Sequence, residues 1–254
     1  MANKYDLLNK NVLITGAAGQ IGRELVRAFI ESGSHVYAAD LAATPDSGLT
    51  DAVGKHTDLF TYVSGSVTTE TSVTEIFAEI KKPIDVLVNC AGIGVYTAFE
   101  KRTEEELDSV FDTNLKGTIL MSKHAAEGMK EQKQGTIINV ASIYGVTTPD
   151  FRIYGDSGRN SSEIYGATKA GIIHFTKYIS AYLAPYGITA NSISPGGVFR
   201  KQDPAFVANY EKKTPLGRMA TPEDLVGTVL FLASSDARYI TGQNISVDGG
   251  FTVW

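Results

Sequence analysis

Cysteine is almost absent from this chain, because Cys90 is the only one among 254 residues. A single cysteine excludes an intrachain disulfide. The sequence also lacks any apolar run of about 18 residues, the length that a membrane-spanning helix requires. The first six residues contain no apolar core typical of a signal peptide. We therefore expect a cytoplasmic protein with no membrane partner.

Positive charge is scarce as well. Lys and Arg together number 23 against 28 Asp and Glu, which gives a net charge of −5. No run of Lys or Arg reaches the length of about five that typifies a basic arm, so no nucleic-acid partner is expected. Apolar residues make up 43% of the chain, which excludes a disordered polypeptide.

What the sequence does contain is a regular alternation of short β-branched runs and helical patterns. Strands are predicted at residues 11–15, 35–39, 59–63, 85–89, 136–141, 188–194 and 244–247. Helices are predicted at 20–32, 69–80, 103–129 and 163–183, with a last helix capped by Thr221. This alternation predicts one α/β domain over residues 1–254, with a parallel sheet covered by helices on both faces. Three segments show no regular pattern: 41–58, 145–162 and 196–215.

A glycine-rich turn joins the first strand to the first helix, in the sequence Thr15-Gly16-Ala-Ala-Gly19-Gln20-Ile21-Gly22. Small residues there let backbone N–H groups approach a pyrophosphate, and the helix N-terminus favours its negative charge. The position of the turn, after a strand and before an amphipathic helix, favours dinucleotide binding over a purely structural turn.

Asp40 ends the second strand, and a carboxylate there can accept hydrogen bonds from both ribose hydroxyls of an adenosine. It would repel a 2′-phosphate, and no Lys or Arg lies in the turn or directly after Asp40, where Leu41 follows. These features favour NAD over NADP. The alternative is a solvated carboxylate at the end of a strand.

Tyr165 and Lys169 are four positions apart near the start of the helix that follows the fifth strand. This spacing places a phenol and an ammonium on one helix face. A free phenol has a pKa of about 10 and is a poor base at neutral pH, but a nearby cation stabilises the phenolate.

Taken together, these motifs resemble the short-chain dehydrogenase/reductase family in its non-extended form, over nearly the whole chain. Further residues carry the resemblance: Asn89-x-Ala91-Gly92, Asn114, Ser142, Pro195-Gly196, and the ending Thr241-Gly242-Gln243 to Asp248-Gly249-Gly250. The resemblance implies a Rossmann-like, doubly wound fold, a nicotinamide cofactor and reversible conversion of an alcohol and a carbonyl. It also implies a homodimer or homotetramer, for which the apolar ending 251–254 suits a buried contact.

The resemblance implies four catalytic residues. Tyr165 is the general acid/base, Lys169 lowers its pKa and holds the nicotinamide ribose, Ser142 binds the substrate oxygen, and Asn114 positions a water. The residues expected to contact the cofactor are Gly16, Gly19, Gln20, Ile21, Gly22, Asp40, Leu41, Ser66, Val67, Asn89, Ala91, Gly92, Tyr165, Lys169, Pro195, Gly196 and Val198. No metal site is expected. Three residues have structural alternatives: Asn114 bonded to backbone, Ser142 ending a strand, and Asn89 tying strands together.

The chain departs from the family pattern at three places. Ser66 replaces an acidic residue near the adenine, and Arg200 stands where a threonine is common. Tyr165 follows Ser142 by 23 positions, a longer separation than most members have. The extra residues lie within 145–162 and are expected over the active-site mouth, although they could be a surface decoration.

Four cations border this mouth in the sequence: Arg152, Arg159, Arg200 and Lys201. If they converge, the substrate is anionic, such as a sugar phosphate, a nucleotide sugar or a carboxylate. The alternative is four solvated charges. The sequence therefore predicts an NAD-dependent oxidoreductase acting on a small-molecule alcohol. Two other interpretations remain, an NADP-dependent carbonyl reductase and a non-enzymatic dinucleotide-binding module.

Overall fold

A computed structural model describes residues 5–157 and 159–254. Residues 1–4, for which the sequence predicts no signal peptide, lie outside the described residues. Seven parallel strands form one sheet in the order β3-β2-β1-β4-β5-β6-β7. Their bounds are β1 Asn11–Thr15, β2 His35–Asp40, β3 Phe60–Ser64, β4 Val86–Asn89, β5 Gly135–Val140, β6 Ile188–Pro195 and β7 Asn244–Val247. The predicted doubly wound sheet is confirmed, with every strand end within about one residue of its predicted position.

Eight α-helices accompany the sheet in the described residues. They are α1 Gln20–Glu31, α2 Ser47–Val53, α3 Glu70–Glu79, α4 Glu104–Phe111, α5 Gly117–Gln132, α6 Glu163–Leu183, α7 Pro204–Lys213 and α8 Glu223–Ala233. Within these residues, no helix has the length and apolar character needed to cross a bilayer.

Both faces of the sheet are covered, because side chains alternate along each strand. Val12 and Ile14 of β1 pack with α1 and α8, whereas Leu13 packs with α3, α5 and α6 on the other face. Because these strands are parallel, the carboxyl ends of β1, β4, β5 and β6 share one rim of the sheet. Open α/β sheets bind ligands at such a rim.

Two segments predicted to be irregular contain short helices, α2 and α7. Asp46 caps α2 by accepting a hydrogen bond from the Leu49 amide at 2.9 Å. Asp203 caps α7, and Pro204 occupies its first turn. Sequence periodicity missed both because a helix of two or three turns presents few apolar positions. The last helix begins at Glu223, so Thr221 lies before it and donates its amide to Asp224 at 2.7 Å instead of capping.

The helix predicted over 103–129 is not one continuous α-helix. It opens with the expected capping box of Thr103 and Glu106. A π-helical turn, Asp112–Lys116, then separates α4 from α5. Asn114 lies in this turn and is fully buried. Such π-turns insert a residue into a helix and often occur at functional sites.

A smaller apolar cluster lies beneath segment 145–162 and joins it to the body of the protein. It consists of Ile143, Ile153, Tyr154, Tyr210, Met219 and Phe251. Asp150 adds a polar link by accepting hydrogen bonds from Arg152 at 2.8 Å and from Lys213 of α7 at 3.2 Å. Segment 145–162 is therefore anchored to α7 and to the C-terminal residues.

Candidate active site

The glycine turn lies between β1 and the segment that follows β4. Gly16 adopts a positive φ of 66°, and a Cβ there would lie 2.7 Å from the Ala91 Cα. A Cβ on Gly22 would lie 2.2 Å from the Gly16 carbonyl oxygen. A side chain is therefore sterically excluded at these two positions, and backbone atoms line this part of the turn. Thr15 Oγ1 fixes the opposite wall by accepting hydrogen bonds from the Cys90 and Ala91 amides, both at 3.2 Å.

The N-terminus of α1 has no side-chain cap, and its N-cap is Gly19. The first amides of a helix have no partner within the helix, so those of Gln20, Ile21 and Gly22 can bind an anion. A backbone-lined turn together with an uncapped helix start fits the pyrophosphate of a dinucleotide.

Asp40 lies beside this turn at the end of β2. Its Oδ2 accepts a hydrogen bond from the Ala18 amide at 2.8 Å, and its Oδ1 accepts one from the Leu41 amide at 2.8 Å. The carboxylate is thus fixed in place with lone pairs left for a ligand. The Leu41 side chain is exposed next to it.

Two residues expected near the adenine follow β3, and both support the backbone around them. The Ser66 hydroxyl and the Thr68 hydroxyl are 2.9 Å apart and hydrogen-bonded. Val67 packs against the start of α5, where a Cβ on Gly117 would lie 2.6 Å from its Cγ2. These contacts shape the edge of the cleft.

Asn89 links neighbouring elements of the sheet, and its expected contact with the cofactor stays a prediction. Its side chain is buried, and its Nδ2 donates to Asn139 Oδ1 at 2.9 Å and to Ser122 Oγ at 3.0 Å. The amide therefore ties β4 to β5 and α5, which is the structural alternative. Gly92, three positions on, lies in the cleft itself, where a Cβ would be 3.4 Å from Lys169 Nζ.

Ser142, Tyr165 and Lys169 meet at the rim of the sheet. Ser142 follows β5, and Tyr165 lies in the first turn of α6, which Ser162 caps. The Ser142 hydroxyl lies near the Tyr165 phenol and lowers its pKa. Lys169 is only 4% exposed, and its Nζ lies 5.6 Å from the centroid of the Tyr165 ring. That ammonium donates to the Val140 carbonyl at 2.8 Å.

Burial dominates the electrostatics of this group. Desolvation raises the pKa of Tyr165 to about 12, although the hydrogen bond from Ser142 opposes the rise. Desolvation also lowers the pKa of Lys169 to about 8, which leaves it mostly protonated at neutral pH. The pKa of the Tyr165 phenol thus lies above its ordinary value in the protein alone. The expected lowering by Lys169 does not outweigh desolvation in this state.

The Asn114 side chain is hydrogen-bonded to backbone, and its expected role of positioning a water stays a prediction. Its Oδ1 accepts from the Ile93 amide at 2.8 Å, and its Nδ2 donates to the Ile93 carbonyl at 2.9 Å and to Thr168 Oγ1 at 3.3 Å. The side chain therefore holds the loop after β4 against α6, as the structural alternative had it. Its role is to fix the wall of the site near Lys169.

The residues after β6 form the wall opposite Tyr165. Tyr210 of α7 accepts a hydrogen bond from the Gly197 amide, and a Cβ on Gly197 would lie 2.9 Å from its ring. Val198 pairs with Ala220 and its carbonyl accepts from Gln202 Nε2 at 2.8 Å. Sequence reasoning treated Tyr210 as ordinary packing, and no local motif marks it because its partner glycine is 13 positions away.

Gln20 makes a contact that the sequence did not predict. Its side-chain amide donates to the Phe199 carbonyl at 2.6 Å and so links the glycine turn to the segment after β6. The link spans the cleft between the two walls. Gln20 thus has two positions in the site. Its backbone amide is one of the free amides at the start of α1, and its side chain connects that helix start to Phe199.

A cavity of about 600 Å³ opens beside Tyr165. Ser142, Tyr144, Tyr154 and Lys169 line it, as do Pro195, Gly196 and Val198. Of the four predicted cations, Arg159 and Arg200 line the cavity. The Arg152 side chain is 90% exposed and paired with Asp150, and Lys201 is exposed and does not line the cavity. Two of the four cations that were predicted to converge on the mouth therefore do so. The described residues contain no cluster suited to a metal ion.

Comparison with known proteins gives a consistent result. A family model described as enoyl-(acyl carrier protein) reductase matches residues 16–252. A crystal structure of a short-chain dehydrogenase from Leptospira borgpetersenii with bound NAD+ is 47% identical, with a TM-score of 0.89 over 96% of this chain and 93% of that one. The 3-oxoacyl-(acyl-carrier-protein) reductase FabG of Rickettsia felis is 35% identical over 96% of this chain and 98% of its own. The 7alpha-hydroxysteroid dehydrogenase of Bacteroides fragilis is 35% identical over 99% and 96% respectively.

Proposed function

This chain belongs to the short-chain dehydrogenase/reductase family, and we propose that it interconverts a secondary alcohol and a carbonyl with NAD as its cofactor. The family's relatives are oxidoreductases, and the chain is an enzyme of the same kind acting on CH–OH groups. The observation that carries the proposal is the meeting of Ser142, Tyr165 and Lys169 at the wall of one cavity.

In this proposal the Tyr165 phenol moves the proton. During oxidation the phenolate takes the proton of the substrate hydroxyl, and during reduction the phenol returns it to the carbonyl oxygen. The Ser142 hydroxyl donates a hydrogen bond to the substrate oxygen and stabilises the charge that develops there. When bound, the nicotinamide ring supplies the acceptor or donor of the hydride.

The raised pKa of Tyr165 gives Lys169 its role. A phenol with a pKa of about 12 is almost fully protonated at neutral pH. The phenolate is stabilised in a dry site by the Lys169 ammonium and by the positive charge of an oxidised dinucleotide. The same ammonium is placed to hold the nicotinamide ribose. Asn114 keeps the nearby wall in position and leaves Lys169 room to do so.

The preference for NAD rests on Asp40. Its carboxylate is fixed by the Ala18 and Leu41 amides beside the glycine turn, where the adenosine ribose belongs in this fold. A 2′-phosphate there would meet a like charge, which costs several kcal/mol in a desolvated contact. The Leptospira relative with bound NAD+ supports this choice. The rest of the proposed cofactor site consists of the glycine turn 16–22 with the free amides of Gln20, Ile21 and Gly22, the residues after β3, Ala91, Gly92 and the segment 195–198.

The test is the variant Tyr165→Phe, measured for turnover and for NAD+ binding in the same preparation. Removing one oxygen should lower kcat by about 10²- to 10⁴-fold because the proton donor and acceptor is lost. The dissociation constant of NAD+ should change little. Tyr178→Phe, an exposed tyrosine on the same helix, is the matched control. A Tyr165→Phe enzyme with near-normal kcat would refute the assignment.

A further inference from the structure

The mouth of the cavity carries a guanidinium placed over an aromatic ring. The Arg159 Cζ lies 4.1 Å from the centroid of the Tyr96 ring, and both residues line the cavity. Tyr96 in turn lies close to the reacting phenol. A Cβ on Gly94 would be 3.6 Å from the Tyr165 ring and 3.8 Å from the Tyr96 hydroxyl. Arg159, Tyr96 and Tyr165 therefore line one cavity, with Gly94 beside both tyrosines.

Positive charge predominates in the described lining of this cavity. Its charged residues are Arg159, Lys169, Arg200 and Asp203. Asp203 is engaged in capping α7, where it accepts hydrogen bonds from the amides of Ala205 and Phe206. Lys169 is held against the Val140 carbonyl. The described lining thus has three cationic side chains against one carboxylate.

Arg159 differs from its neighbour in the same segment, Arg152. Arg152 makes two hydrogen bonds to Asp150, at 2.9 and 2.8 Å. Arg159 forms no ion pair with any residue that the structure describes; its amide donates to Ser157 Oγ, and its guanidinium lies over the Tyr96 ring. A guanidinium over a ring face keeps N–H groups at its edge for a carboxylate or a phosphate. The ring also restrains the side chain before any ligand binds.

Arg200, the other arginine of the lining, belongs to a different part of the site. It follows Phe199, whose carbonyl accepts the hydrogen bond from Gln20 of the glycine turn. The backbone before Arg200 is therefore tied to the glycine turn. Arg159 lies instead among Tyr96, Tyr144 and Tyr154, and the Tyr144 and Tyr154 hydroxyls are 3.1 Å apart. The substrate side of the cavity therefore combines one free guanidinium with aromatic walls.

We propose that the substrate carries a carboxylate or a phosphate a few bonds from its reacting alcohol, and that Arg159 binds this anion. The inference rests on the proposed function, because it takes the alcohol to react at Tyr165. It identifies Arg159 as a residue that selects the substrate. Neutral alcohols of the same shape should be poorer substrates because the guanidinium then has no partner.

Matched pairs of probes test the proposal. One pair is 3-hydroxybutanoate and its methyl ester, and the other is glycerol 3-phosphate and glycerol. We expect Arg159→Gln to lower kcat/KM for the anionic member by about 10- to 100-fold, mainly through KM, and to leave the neutral member unchanged. Arg159→Lys should restore part of the loss, because it keeps the charge and loses the planar fork. Arg152→Gln removes a charge from the same segment outside the cavity and should change neither.

A binding measurement separates this inference from the proposed function. The dissociation constants of 3-hydroxybutanoate and glycerol 3-phosphate are measured by calorimetry on the NADH-loaded protein, with and without Arg159→Gln. Weaker binding in the variant supports the anion site even if no probe is oxidised, in which case only the proposed function fails. A preference for 3-hydroxybutanoate over its methyl ester indicates a carboxylate, and a preference for glycerol 3-phosphate over glycerol indicates a phosphate. No preference in either pair, or an equal loss in Arg152→Gln, overturns the proposal.

Discussion

In the proposed function, the choice of cofactor depends on Asp40. Its two oxygens already accept hydrogen bonds from the Ala18 and Leu41 amides, so the carboxylate supports the glycine turn in addition to its proposed contact with the ribose. A substitution that tests its charge must therefore keep an acceptor oxygen. Asn does so, whereas Ala would also release the turn.

We predict that Asp40→Asn raises the affinity for NADP relative to NAD. Removing the negative charge removes its repulsion of a 2′-phosphate, which corresponds to a change of about 10- to 100-fold in the ratio of dissociation constants. Fluorescence titration with NADH and NADPH measures both constants. An unchanged ratio would show that Asp40 does not determine the cofactor preference.

In the proposed mechanism, Lys169 stabilises the Tyr165 phenolate through its charge. Oxidation of an alcohol requires the phenolate, so its rate should rise as pH rises through the pKa of Tyr165 in the loaded enzyme. Removing the ammonium destabilises the phenolate and should move this rise to a pH about 1 to 3 higher in Lys169→Met. The pH profile of kcat measures the shift, with the exposed Lys177→Met as control. A loss of activity at every pH without displacement of the profile would contradict this role.

At the scale of the elements, the π-helical turn was beyond the reach of the sequence pattern. Apolar periodicity over 103–129 fits a continuous helix, because one inserted residue barely disturbs the repeat over the turns on either side. The reason for the insertion lies 21 positions away, where Ile93 offers its amide and carbonyl to Asn114. Tyr210 and Gly197 were missed for the same reason, since their contact depends on how α7 folds back.

Asn114→Ala should destabilise the protein because it leaves the amide and the carbonyl of Ile93 without their partners. Losing buried hydrogen bonds of this kind costs about 2 to 4 kcal/mol in the free energy of unfolding. Urea unfolding measures the difference, and Ser109→Ala on exposed α4 is the control. If Asn114→Ala unfolds at the same urea concentration as the control, the side chain does not clamp this loop.

At the scale of the whole molecule, the sheet was the most predictable feature. Strands such as Val86–Asn89 are buried on both faces, so their apolar runs and bounding turns appear directly in the sequence. Ser142, Tyr165 and Lys169 were predictable as a set because each lies at or near the rim end of an element. The hydrogen-bond partners of Asn89 and Asn114 were not, because an asparagine motif does not show which residues distant in the sequence its amide will contact.

An aromatic surface on α6 bears on assembly. The rings of Tyr178 and Tyr182 stack with centroids 6.1 Å apart, and Lys130 Nζ lies 4.8 Å from the Tyr182 ring. Exposed aromatic residues of this kind favour a protein contact, and we expect a homodimer or homotetramer. Light scattering should give two or four times the chain mass of 27.3 kDa. A mass equal to one chain would contradict the expectation.

The central claim is that Tyr165 becomes a usable acid and base only when the dinucleotide is bound. The most direct test is an ultraviolet titration of phenolate absorbance, with the Tyr165→Phe signal subtracted, in the absence and presence of NAD+. Without NAD+ the pKa of Tyr165 should be about 12. With NAD+ the same phenol should ionise near neutral pH, where general acid–base catalysis is most effective. An identical titration in both states would contradict the account.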